Sequence, residues 1–170
     1  KEGATIATQH LLLAWHRAIG FLSGPVASYS SRQRAEGYRA ALVEEGLPMN
    51  PAWSRSCSHE VEGGRETTRL LVKEHPELTA IFCYNDLLAV GALQACAETD
   101  LRVPEDIALV GFDDIPMAAL VTPPLTTVRV PRYGLGDHAM RLLLKRVEGL
   151  SEAHEQIVLH PKLIVRASAP

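Results

Sequence analysis

Ile107-Ala108-Leu109-Val110-Gly111-Phe112-Asp113-Asp114 opens a stretch that continues Ile115-Pro116-Met117-Ala118-Ala119-Leu120-Val121-Thr122-Pro123-Pro124-Leu125-Thr126-Thr127-Val128. The run Ile107 to Val110 is apolar without polar alternation, which suits a parallel strand covered on both faces. It reaches Gly111, and two carboxylates, Asp113 and Asp114, follow at once. In open α/β sheets, ligands bind just outside the carboxyl ends of the strands. A carboxylate there can accept hydrogen bonds from a hydroxyl-rich or cationic ligand. Pro116 and the pair Pro123-Pro124 stiffen the exit, and Leu125 to Val130 reads as a further strand. The same two aspartates are also ordinary caps for a following turn.

Working outward, the same grammar repeats. A helix runs from Gly3 to Trp15, with Ala4, Ala7, Leu11, Leu12 and Trp15 at helical spacing. Ile19-Gly20-Phe21-Leu22 is a compact strand that closes on Ser23-Gly24-Pro25. The polar loop Ser28-Tyr29-Ser30-Ser31 ends in a helix N-cap, and the helix runs from Arg32 to Glu45 before Gly46 and Pro48 stop it. Pro51 to Cys57 allows a short strand around Trp53. Glu60 to His75 is helical and ends at Pro76. Thr79 to Cys83 is a second covered strand with a polar tip, Tyr84-Asn85-Asp86, where Asp86 caps a helix from Leu87 to Thr99. Pro131 starts a helix reaching about Gly149, and Ile157-Val158-Leu159 and Leu163-Ile164-Val165 read as two closing strands. Strands alternating with helices of this length predict βαβ units and a parallel sheet.

Composition excludes several classes. The chain has 170 residues, 46% hydrophobic and 22% charged, with a formal net charge of -3. Such a balance, without a basic run, is poor material for direct DNA binding. No apolar run is long enough to cross a bilayer. Lys1 to Thr5 has no signal-peptide architecture, and the chain opens almost inside a helix, as a fragment would. Three widely spaced cysteines, Cys57, Cys83 and Cys96, show neither zinc nor disulfide spacing, read as small buried hydrophobes, and point to a reducing cytoplasm. The histidines lack ligand spacing, and no phosphate-cradle glycine motif or Gly-x-Ser-x-Gly elbow is present. No metal, cofactor or catalytic residue is expected.

Right-handed crossovers place the strand tips on one side of the sheet. There Ser23 and the segment Ser28 to Arg34, then Asn85 and Asp86, then Asp113 and Asp114 should meet. An arginine fork, an amide, hydroxyls and a carboxylate around one crevice suit a small polyol or a nucleobase. Plainer readings stand beside these: Arg34 as a solvated helix residue, Asn85 as a turn former, His59 as a capping or surface residue. For Asp86 the capping reading is preferred.

Taken in order, these segments match a known pattern. They are His10-Leu11-Leu12 with His16 to Pro25, Arg32-Gln33-Arg34-Ala35-Glu36-Gly37-Tyr38, Ala80 to Asp86, Leu101 to Ile107, Val110-Gly111-Phe112-Asp113-Asp114, Pro124 to Val128, and His160 to Arg166 with Ser168. In them the chain resembles the effector-binding and dimerisation region of the lac repressor/galactose repressor (LacI/GalR) family of bacterial transcription regulators. The resemblance implies an α/β, periplasmic-binding-protein-like fold, in which two Rossmann-like subdomains enclose a ligand cleft. It assigns residues 1–124 to the C-terminal effector-binding subdomain and 125–155 to a returning strand and helix of the N-terminal subdomain. Residues 156–170 would be closing strands. A DNA-binding headpiece, a hinge helix and most of the N-terminal subdomain are expected to precede Lys1.

Carried over by motif, Arg34 and Asp113 match effector-binding positions, and Asn85 sits where sugar-binding members use an asparagine. Ser28 and Ser30 fall on loop positions that contact purine ligands, and His59 lies near an aromatic stacking position. The sequence departs from the family's Gly-His-Arg in having Trp15-His16-Arg17, which puts the glycine's turn in question. The implied function is that of a cytoplasmic sensor, not an enzyme. It would bind a sugar or purine-like effector, form a homodimer, reach operator DNA only through the headpiece, and make no membrane contact. The isolated chain, with half a cleft, is expected to bind effector weakly or not at all. An exported sugar-binding protein of the same fold is the nearest alternative. An enzyme using Asp113 and Asp114 with magnesium lacks a partner lysine or threonine at a matching strand tip.

Overall fold

The computed structural model describes residues 1–149 and 155–170. In chain order the elements are α1 (Glu2–Leu13), β1 (Ile19–Ser23), α2 (Tyr29–Glu44), β2 (Ser54–Ser56), α3 (Val61–Glu74), β3 (Ala80–Cys83), α4 (Asp86–Glu98), β4 (Ala108–Asp113), β5 (Thr126–Arg129), α5 (Arg132–Val147) and β6 (Lys162–Ile164). The strands form one six-stranded sheet in the order β2-β1-β3-β4-β5-β6. All neighbours are parallel except β5 and β6. The chain first steps from β1 outward to β2, then returns across β1 to β3. That reversal puts a topological switch point between β1 and β3, where open α/β sheets form their ligand crevice.

Both faces of the sheet are covered, which explains the unbroken apolar runs. On one side, α1 and α2 close over Phe21, Phe82, Val110 and Phe112. On the other, α3 and α4 close over Leu22, Ile81, Cys83 and Leu109. Successive residues of β3 thus serve opposite cores, as the two-residue period of a strand requires. Phe21 stacks between Tyr38 and Phe82, with ring centroids 5.1 and 5.2 Å away. Each such ring contributes about 2–3 kcal/mol through burial. The C-terminal residues lock the far side of this arrangement: the Ser168 hydroxyl donates to the Leu109 carbonyl at 2.6 Å and accepts the Thr126 N–H at 2.8 Å.

Several expected boundaries move. α2 starts a turn earlier than Arg32, because the Ser28 hydroxyl, not that of Ser31, accepts the Ser31 N–H and caps it. Asn85 rather than Asp86 caps α4, its side chain accepting the Leu88 N–H at 2.9 Å. Trp53 lies in a single 3-10 turn, and the short strand β2 follows it. Ile157 to Leu159 is not a strand; Lys162–Ile164 takes the antiparallel place beside β5, leaving the earlier residues outside the sheet. The strand assigned to a separate subdomain, β5, belongs to this sheet, with Thr126, Thr127 and Val128 buried. The helix after it, α5, has no buried residue, and Tyr133, Met140, Leu143 and Val147 stand exposed. The end of the long segment, residues 150–154, lies outside the described residues.

The turn in question at Trp15 is kept. Trp15 holds φ at 66°, its N–H bonds the Leu12 carbonyl, and the His16 N–H bonds that of Leu11. This is the Schellman arrangement that glycine usually serves at a helix end.

Candidate functional site

The carboxyl edge of β1, β3 and β4 gathers the polar groups. Arg34, in the second turn of α2, reaches across the tip of β3. Its guanidinium donates to the Tyr84 carbonyl and to Asp113 Oδ1, the latter at 3.1 Å. It also lies 4.3 Å from the Tyr84 ring and 3.7 Å from the Phe112 ring. Two aromatic faces and two acceptors therefore fix one planar cation, an arrangement that lysine could not reproduce. The Arg34 side chain is 13% exposed and that of Asp113 31%, so the pair sits at the floor of an open mouth. Asp113 Oδ2 has no hydrogen-bond partner among the described residues and can accept from a ligand hydroxyl or N–H.

Backbone geometry aims this carboxylate. Asp113 has φ 108° and Asp114 φ 51°, two consecutive non-glycine residues in the positive region. Aspartate tolerates that region better than most residues, and such conformations concentrate at functional turns. Burial raises the Asp113 carboxyl above its ordinary value, while the charge and hydrogen bond of Arg34 pull it back. Asp114 turns the other way, its side chain 7% exposed between Arg166 at 2.7 Å and Arg129 at 2.5 Å. Burial works against its ionisation, but hydrogen bonds from Arg166 and Arg129 prevail and hold it below the usual value.

Beneath the tips lies Asp86. It is 1% exposed, accepts the Thr127 hydroxyl at 2.5 Å and the Ile115 N–H at 2.8 Å, and so ties α4 to β5 and to the turn after Asp114. Burial pushes its carboxyl up to about 6 against those two hydrogen bonds. Its expected role as the cap of α4 is corrected accordingly: the cap is Asn85, and Asp86 is a buried strut.

The other expected residues divide. Ser28, Ser30 and Tyr84 form a chain of hydroxyls with both links at 2.9 Å, and Tyr84 joins this chain to Arg34. Asn85 reaches the same edge, but its amide is spent on capping and on donating to the His59 carbonyl at 3.2 Å. His59 is exposed and is tied to Asn85 through its backbone. Tyr84, Phe112 and Arg166 also build the site, although their positions in the sequence motifs assign them no role. Their partners lie dozens of residues away, and no local spacing signals them.

Cys83 and Cys96 are fully buried, and burial raises both thiols, that of Cys96 to about 12. Among the described residues, no group of three or more His, Cys, Asp or Glu side chains could hold a metal ion. No described helix is long and apolar enough to cross a membrane.

Fold and site together define a doubly wound α/β module with an aromatic-clamped Arg–Asp pair at the carboxyl edge of its sheet. The chain belongs to the periplasmic binding protein-like domain family, whose model matches residues 8–169. It is 38% identical over 167 residues to the HTH-type transcriptional repressor PurR of Pasteurella multocida, covering 98% of this chain and 50% of that protein. Similarity to the ribose operon repressor of Haemophilus influenzae is 36% over 166 residues, with the same two coverages. Among solved structures, the transcriptional regulator CelR–cellobiose complex superposes with a TM-score of 0.93 at 33% identity, covering 98% of this chain and 51% of that one. A dimeric lac repressor with a C-terminal deletion gives 0.91 at 31%, covering 99% and 62%. The chain spans about half the length of the curated relatives it matches.

Proposed function

We propose that the chain is the effector-sensing and dimerisation region of a bacterial LacI-type transcription regulator. A small ligand, sugar or purine-like, binds at the carboxyl edge of the sheet and modulates operator binding by a headpiece outside this chain. The observation that carries this reading is the Arg34–Asp113 pair, clamped by Tyr84 and Phe112 at the β1/β3 switch point. Arg34 offers donors to ligand oxygens, Asp113 Oδ2 accepts from hydroxyl or N–H groups, and Ser28 and Ser30 supply hydroxyls at the rim. Asn85 and His59 complete the wall, Asn85 by holding the His59 loop against α4. The relatives that support this are the HTH-type transcriptional repressor PurR and a ribose operon repressor, and the CelR structure contains cellobiose.

No reaction is assigned to the site. Asp114 is held by two arginines and Asp113 by Arg34 through one oxygen, so the carboxylates here serve to pair and to accept hydrogen bonds. The regulator works in the cytoplasm as a homodimer, and ligand shifts its operator affinity through a coupling free energy between two sites. Fluorescence anisotropy of the full-length protein on its operator tests this. A sugar or purine that changes the wild-type dissociation constant tenfold should leave Asp113→Ala unchanged. An equal response in that variant would overturn the assignment.

A further inference from the structure

The mouth of the site carries more positive than negative charge. Arg34 lies at the mouth, and Arg129, Arg132 and Arg166 gather about the adjoining Asp113–Asp114 turn. Among the described residues the carboxylates paired with them are Asp113, at the mouth, and Asp114, which turns inward between Arg166 and Arg129. Asp86 lies beneath with both oxygens engaged by Thr127 and Ile115. The cations are unequally matched. Arg34 has Asp113, and Arg166 shares Asp114 with Arg129. Arg132 donates to a backbone oxygen, the Asp114 carbonyl, at 3.3 Å, and reaches a carboxylate through its charge alone, which acts on Asp113 without a hydrogen bond among the described residues. Arg129 spends only its Nε on Asp114; its two terminal nitrogens have no partner among the described residues, and its side chain is 54% exposed. Both arginines line an open depression of about 360 Å³, together with Asp114 and Tyr133. The depression adjoins the Arg34–Asp113 pair through the Asp113–Asp114 turn.

A neutral sugar gives no return for two cations that both contact Asp114 and line one depression, since like charges repel. An oxyanion does: a phosphate or carboxylate accepts parallel N–H donors from guanidinium groups in the geometry that makes these the strong charge-assisted bonds. We infer that the effector carries an oxyanion group, phosphate or carboxylate, held by Arg129 and Arg132, while its hydroxyl-bearing or ring portion meets Arg34 and Asp113. This deepens the sensor reading and rests on it. It narrows the effector from sugars and purines at large to anionic derivatives of such molecules.

The test uses the full-length protein and simple probes. Thermal unfolding is followed in inorganic phosphate, acetate and chloride at equal ionic strength, with glucose as the neutral control. The expected result is a rise in Tm of about 2 °C or more in phosphate or in acetate over chloride, as ligand binding to the folded state requires; whichever anion acts identifies the group. The rise should vanish in Arg129→Gln/Arg132→Gln and return in Arg132→Lys on the Arg129 wild-type background. Isothermal titration of the effective anion should show roughly tenfold or weaker binding by Arg132→Gln. No anion-specific rise, or a rise that persists in the double variant, overturns the inference, because a carboxylate elsewhere in the protein or a general salt effect then accounts for the charge. A neutral sugar that stabilises wild type and the Arg129/Arg132 variant alike, but not Asp113→Ala, overturns the anion while leaving the sensor. Loss of every Asp113-dependent response defeats both.

Discussion

Arg34 bridges 79 residues of sequence to reach Asp113 at 3.1 Å, and it does so held between the rings of Phe112 and Tyr84. One helix residue thereby closes the tips of β3 and β4 into a single surface. Arg34→Ala should lower stability by about 1–2 kcal/mol through the lost aromatic and hydrogen-bond contacts. Arg34→Lys should recover part of the stability but not the ligand response, because an ammonium cannot stack or fork. Urea unfolding followed by circular dichroism gives the first quantity, and ligand titration the second.

Asp86 makes stability depend on pH. Its folded value, about 6, stands above the ordinary carboxyl value of 3.8, so between those values the folded state binds more protons than the unfolded. Its contribution is therefore present in full below pH 3.8 and lost as pH rises through about 6. Asp86→Asn keeps an acceptor for the Ile115 N–H and a partner for the Thr127 hydroxyl while removing the charge. Relative to wild type it should flatten the fall in stability between pH 4 and pH 6, a window framed by those two values. Asp86→Ala strands the buried Thr127 hydroxyl and the half-buried Ile115 N–H and should cost about 2–3 kcal/mol at every pH. Urea midpoints across that range decide both.

Trp15 occupies a left-handed position with no buried surface to justify it. It is 83% exposed, and the Arg17 guanidinium lies 5.3 Å from its ring. Trp15→Gly should raise stability by about 0.5–1 kcal/mol by relieving the positive φ. A lower urea midpoint would show that the Arg17 contact outweighs the strain.

Gly91 lets α4 approach α3. A Cβ there would come within 2.0 Å of the Val61 carbonyl oxygen and 2.6 Å of the Arg65 nitrogen, both backbone atoms that cannot swing aside. Gly91→Ala should cost about 1–3 kcal/mol as the helices separate. Thermal unfolding that matches wild type would mean the helices slide without loss.

The layered fold was readable because the strands buried on both faces, β1, β3 and β4, are continuous apolar runs with helices between them. The edges were not. β2 is Ser-Arg-Ser and carries no hydrophobic signature, while Ile157-Val158-Leu159 carries one and forms no strand among the described residues. Asn85 and Asp86 are adjacent residues of equal capping chemistry. Only the distant partners Thr127 and Ile115 decide which of them caps and which is buried. Arg34 and Asp113 could be named from motif resemblance, but their clamp by Phe112 and Tyr84 and the arginines about Asp114 exist only once the chain is folded.

The most direct test of the sensor claim is a thermal-shift screen of the full-length protein against sugars, purines and their phosphorylated and carboxylated derivatives, run in parallel on Arg34→Ala and Asp113→Ala. The reading predicts a compound that raises the melting temperature of wild type and of neither variant. A compound that stabilises all three equally would contradict the placement of the effector on the Arg34–Asp113 pair.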